Sequence, residues 1–170
     1  MFTVRFYFSV VLLVALCASA NAEDGPREAA TVLVAAFKSG KAENVRKHIA
    51  VLELEERVAA KKELIEKDLI GIYQGICGDT AAGKSEWEIV DSKSDGECAV
   101  VIINESKKQG RPAQDFDPLY FVKQNESWKV LPRLSEYKSD VWKLKEEMIK
   151  KFTDLEAWFE TRKQELVAKK

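Results

Sequence analysis

Cys98-Ala99-Val100-Val101-Ile102-Ile103 is an unbroken apolar run, and four of its six residues are β-branched. A short run of that composition reads as a central strand. Ser94-Asp95-Gly96 lies just before it and signals a turn. Further upstream Trp87 and Ile89 alternate with Glu86 and Glu88, with Val90 fitting less cleanly, which predicts a partner strand. Downstream, Lys107 to Pro112 is a polar loop holding Gly110 and Pro112. Leu119 to Val122 forms the next strand, Asn125-Glu126-Ser127 turns the chain, and Trp128 to Leu131 is the last strand before Pro132. Strands joined by such short connections make an antiparallel meander, since a parallel pair needs a long crossover.

Helical periodicity flanks the meander on both sides. Asp24-Gly25-Pro26 marks a helix start, and Ala29, Val32, Leu33, Ala36 and Phe37 recur on one face until Ser39-Gly40. A short second helix is expected from Ala42 to Ile49. A third is expected from about Leu52 to Ile70, with Val58, Ile65 and Leu69 on one side of a Glu/Lys-rich, solvated surface. From about Ser135 the helical period returns, and Tyr137, Val141, Leu144, Met148, Phe152, Leu155, Phe159 and Leu166 form a long apolar stripe. It predicts one long amphipathic helix, or two broken near Thr153-Asp154. That stripe either packs on the rest of the chain or makes a homodimer or partner contact through residues 135–170.

The N-terminus has the three parts of a secretory signal. Arg5 gives the positive region, Phe6 to Leu16 the apolar core, and Ala20-Asn21-Ala22 the small residues that a signal peptidase reads. Cleavage is expected after Ala22. A bilayer-spanning helix needs roughly 20 apolar residues, more than this core supplies. Lipidation at Cys17 is disfavoured because Leu16 precedes it where a small residue belongs. A periplasmic or secreted location follows as the expectation, with residues 1–22 as signal, 23–132 as the main domain and 133–170 as a C-terminal helical extension.

The chain has 27 Lys+Arg and 28 Asp+Glu. Loss of Arg5 with the signal leaves 26 against 28, a formal charge of −2. A nucleic-acid binder carries a clear basic excess, so that class is excluded as the expectation. No later stretch is apolar enough to span a membrane. Cys77 and Cys98 are the two cysteines left after processing, and an oxidising compartment favours a disulfide between them. Such a bridge would stabilise the fold by roughly 3 kcal/mol on the chain-entropy model. The alternative is a pair of buried thiols.

Gly78-Asp79-Thr80-Ala81-Ala82-Gly83-Lys84-Ser85 matches the phosphate-loop pattern at every fixed position. That loop needs a strand before it and a helix after it, so that backbone N–H groups and a helix dipole meet the phosphates. Ile70 to Cys77 passes as a strand, but the β-leaning Glu86 to Val90 leaves no room for the helix. Asn104 also stands where the metal-binding carboxylate belongs. Gly78 to Ser85 is therefore read as a flexible loop, and no nucleotide or other cofactor is expected. His48 is the only histidine, and catalysis by this chain would centre on it and a nearby carboxylate. One His and two Cys make no zinc site. Asn104-Glu105-Ser106 and Asn125-Glu126-Ser127 fit the N-glycosylation pattern.

The opening helix ends in Phe37-Lys38-Ser39-Gly40-Lys41-Ala42-Glu43, a hairpin carries Asp95-Gly96, and the last strand carries Trp128-Lys129-Val130. With this element order the chain resembles the nuclear transport factor 2-like, or cystatin-like, α+β roll over about residues 26–132. More narrowly it resembles small exported members with a lumazine-binding-like domain of unknown function. The resemblance implies an α+β fold in which N-terminal helices pack on a curved antiparallel sheet, a cone whose mouth holds a ligand. Some members are isomerases or dehydratases with an Asp/His pair and many are non-catalytic; no matching pair lies on the strands here. Trp87 and Tyr120 are the strand aromatics that would line such a cone, with core packing as the alternative role. The resulting expectation is a non-enzymatic domain that binds a small molecule or a protein.

Overall fold

The computed structural model of the protein describes residues 25–107, 116–132, 137–138 and 140–168. The signal segment with Cys17 and its cleavage after Ala22 lies outside the described residues, as do Gly110, Pro112 and Ser135. The order of elements is α1 (Pro26–Lys38), α2 (Ala42–Arg46), a 3₁₀ turn (Glu56–Lys61), α3 (Lys62–Ala81), β1 (Ser85–Asp95), β2 (Cys98–Lys107), β3 (Phe116–Gln124), β4 (Ser127–Val130) and α4 (Glu146–Ala168). The four strands form one antiparallel sheet in the order β1-β2-β3-β4. This curled sheet with its helices is an α+β, cone-like roll.

The apolar run that decides the fold is apolar because both faces of β2 are covered. Ala99, Val101 and Ile103 point into a first core with Leu33 and Phe37 of α1, Tyr73 and Cys77 of α3, and Leu119 and Phe121 of β3. Cys98, Val100 and Ile102 point into a second core with Tyr120, Val122, Phe152, Leu155 and Phe159. Side chains alternate along a strand, so a strand buried on both sides loses its polar positions. The apolar face of α4 thus packs on the chain's own sheet. Its tie to β1 is completed by Arg162, whose Nε donates to Asp91 at 2.7 Å.

The β1–β2 hairpin closes through Gly96, whose φ of +59° is the conformation a tight hairpin needs at that position. Between Ile89 and Asp91 the β1–β2 register slips by one residue. Trp87 and Ile89 face the first core and Val90 the second by strand alternation, and Asp91 is set opposite Ile102 by the bulge. Arg27 of α1 clamps it, donating to the carbonyls of Ile89 at 3.1 Å and Val90 at 3.2 Å.

Three expectations need correction. The third helix is displaced: it begins at Lys62 and runs to Ala81, through the strand-like Ile70–Cys77 and half of the presumed loop. Burial of Tyr73, Cys77 and Thr80 on the first core outweighs the poor helix propensity of Gly71, Gly75 and Gly78. The C-terminal helix starts at Glu146, not near Ser135, and runs unbroken through Thr153-Asp154. Residues ahead of it pair instead with the segment before α3: Glu55 N–H donates to the Val141 carbonyl at 2.9 Å and Lys143 N–H to that of Glu53 at 2.8 Å. Finally, Cys77 and Cys98 are both free and buried. Cys77 on α3 belongs to the first core and Cys98 on β2 to the second, so the sheet stands between their sulfurs.

Candidate functional site

Residues 48–55 leave α2 and run extended along the end of the sheet. Ala50 N–H donates to the Val130 carbonyl at 2.7 Å, and Val130 N–H donates to that of His48 at 2.8 Å. The side-chain amide of Gln124 then copies a strand pairing. It accepts from Val51 N–H and donates to the Val51 carbonyl, both at 3.0 Å. Beyond this, Glu53 and Glu55 pair with residues 141–143. These bonds hold the segment away from α3, and a cleft of about 490 Å³ is left between them. Its walls include Ile49, Leu52 and Leu54 on one side, Ile65, Leu69 and Tyr73 on the other, and Trp142 and Pro132. Glu43, Lys62 and Glu66 stand among these apolar residues, with Lys62 and Glu66 4.0 Å apart as an exposed ion pair. The indole Nε1 of Trp142 is buried without a hydrogen-bond partner. A buried donor left unpaired costs about 1–3 kcal/mol.

A second groove, of about 600 Å³, adjoins the cleft and shares Arg46, Ile49 and Val51 with it. Lys47, Gln124, Asn125, Ser127 and Lys129 complete its lining. Three cations and no carboxylate line this groove. The nearest element, the β3–β4 hairpin, carries Glu126, which pairs with Lys123 at 3.0 Å. Val51 at the junction is 86% exposed, an apolar side chain held open by its backbone pairing with Gln124.

His48 is half-buried beside this groove and lines none of the three cavities described here. Burial, and then the positive charges of Lys47 and Lys129, hold its pKa below the usual histidine value. Its electrostatic neighbours are cations, whereas a general base of the Asp/His type needs a carboxylate beside it. Its Nε2 is buried and unpartnered.

The two strand aromatics are not brought together. Trp87 packs on Phe37, ring centroids 5.0 Å apart, in the first core. It also reaches a polar cavity of about 430 Å³ with Lys38, Ser85 and Asn104. Tyr120 is 2% exposed in the second core, edge-on to Tyr137 at 4.6 Å and to Phe152 at 5.6 Å. Tyr137 also donates to Glu156 at 2.6 Å.

The phosphate-loop pattern has no phosphate-loop geometry. Gly78 to Ala81 form the last turn of α3, and Ala82 N–H donates to the Gly78 carbonyl at 3.0 Å. Gly83 and Lys84 N–H groups close on Thr80 and Asp79 carbonyls, and Ser85 opens β1. The donors that would wrap a phosphate are thus committed within the chain. Among the described residues no group of three or more His, Cys, Asp or Glu could hold a metal ion. No described helix is long and apolar enough to cross a membrane.

No protein-family model and no curated protein matches the chain. A solved structure from Campylobacter jejuni, described as an NTF2-like transpeptidase, superposes with a TM-score of 0.46 and 13% identity. The match covers 63% of this chain and 97% of that one.

The cleft was missed in the sequence because its walls come from residues 49–54, 65–73 and 142, far apart in the chain. The one local signal was Val51-Leu52-Glu53-Leu54, an apolar alternation standing where a charged helix was expected to begin.

Proposed function

We propose that this protein is an exported, non-catalytic binding module of the nuclear transport factor 2-like roll, and that its ligand site is the cleft between residues 49–54 and α3. The observation that carries the reading is the cleft itself. Its volume of about 490 Å³ falls in the range of small-molecule sites, and its walls are apolar with a few polar groups at fixed places. Filling it would remove Leu52, Leu54, Ile65 and Leu69 from water, which supplies the driving force for binding. Export is carried by the signal-like residues 1–22, and the non-catalytic reading by the cationic surroundings of His48.

The test is titration with a neutral apolar fluorophore such as N-phenyl-1-naphthylamine. Saturable enhancement is expected, lost in Ile65→Gln and retained in His48→Gln, with circular dichroism showing both variants folded. Binding unaffected by Ile65→Gln, or no binding at all, would remove the cleft as the site.

A further inference from the structure

The apolar cleft and the basic groove lie side by side, with Arg46, Ile49 and Val51 in the lining of both. One is apolar and the other is cationic. Among the described residues Arg46, Lys47 and Lys129 form no ion pair. Lys129 is held in place by donating from Nζ to the Lys47 carbonyl at 2.8 Å, which spends one of its three protons and none of its charge. Three unpaired cations around a concave surface are mutually repulsive, and an anion relieves that repulsion.

We infer that the ligand of this cleft and groove is an anionic amphiphile: an alkyl or acyl chain lying along Leu54, Ile65 and Leu69, with a carboxylate or phosphate head between Arg46, Lys47 and Lys129. The inference rests on the cleft being the ligand site. It adds the polarity of the ligand and the direction in which it lies. Val51, exposed at the junction, meets the first carbons below the head.

The experiment is calorimetry on the full chain with a series that shares one twelve-carbon tail below its micellar concentration: dodecanoate, dodecyl phosphate, dodecanol and dodecyltrimethylammonium, with inorganic phosphate alone as the tailless anion. The two anions are expected to bind roughly tenfold or more tighter than dodecanol. The cation is expected to bind weakest and phosphate alone without saturation. Comparison of dodecanoate with dodecyl phosphate assigns the head. The double variant Arg46→Gln/Lys47→Gln, at two exposed positions, should bring the anions down to the affinity of the alkanol measured on the same variant. Anions no tighter than dodecanol, a preference for the cation, or an unaltered preference in the double variant overturns the inference while leaving the cleft as an apolar site. Phosphate alone binding as tightly as dodecyl phosphate also overturns it. Failure of every tailed compound removes the cleft reading as well.

Discussion

Phe152→Ala separates two views of the C-terminal helix: an appendage to a domain ending near residue 132, or one wall of the fold. Phe152 is fully buried in the second core. Its ring centroid lies 5.6 Å from Tyr120 of β3 and 5.1 Å from Tyr137. Truncation removes the transfer free energy of the ring and leaves a void bounded by a sheet that cannot collapse onto it, a combination that costs about 3–5 kcal/mol. With a urea slope of about 2 kcal/mol/M, a loss of about 4 kcal/mol moves the midpoint down by about 2 M at unchanged slope. The assay is urea unfolding followed in parallel by far-ultraviolet circular dichroism and tryptophan fluorescence. Both probes should give one coincident transition. Ile149→Ala, one turn away on α4 and 42% exposed, is the control, expected to shift stability by no more than about 0.5 kcal/mol. A Phe152→Ala loss below about 1 kcal/mol, or a helix transition that precedes the sheet transition, would refute the two-core account.

Glu126 sits at the β3–β4 turn with φ +61°, a conformation that disfavours side chains with a Cβ, so Glu126→Gly should raise stability by about 1 kcal/mol in thermal or urea unfolding despite losing its exposed contact to Lys123. Burial raises the Cys77 thiol and pushes that of Cys98 up to about 11; a thiol reagent at pH 8 should modify neither until the chain unfolds. The native state then keeps the Cys98 proton where the unfolded chain loses it, so this contribution to stability is complete below about pH 9 and declines as pH rises towards 11. Burial also raises the phenols of Tyr120 and Tyr137 well above their usual value, which extends the alkaline decline; Tyr120→Phe should flatten a plot of unfolding midpoint against pH above about pH 10. Lys84→Ala should leave calorimetric titration with magnesium nucleotide as featureless as in the parent chain, because the N–H groups of that segment are bonded within the chain.

The meander was legible because strand and turn signals act over neighbouring residues. Val100 to Ile103, Asp95-Gly96 and Trp128 to Val130 each carry their own β-branched or turn chemistry, and the strands lie where those signals put them. Helix ends were less legible, since packing sets them. Gly71, Gly75 and Gly78 argue locally against a helix, and only the burial of Tyr73, Cys77 and Thr80 on the first core keeps α3 going to Ala81. Likewise Tyr137, Val141 and Leu144 continue a helical stripe in the sequence. The chain instead pairs residues 141–143 with Glu53 and Glu55. Trp87 and Tyr120 lie on β1 and β3, but the side of the sheet each faces depends on strand register.

The amino-acid sequence alone determined what neighbouring residues can encode: an α+β order of elements, an antiparallel meander around the Cys98–Ile103 run, and an apolar face on the last helix. The tertiary structure decided which faces meet. It set Cys77 and Cys98 on opposite sides of one sheet, turned a phosphate-loop pattern into a helix end, and opened a cleft between α3 and residues 49–54 beside Arg46, Lys47 and Lys129. Periodicity of two or of 3.6 residues is written in the local chain. A void and a cluster of charges exist only where distant segments are held at a fixed separation, here by the bonds of Val51 to Gln124 and of Ala50 to Val130.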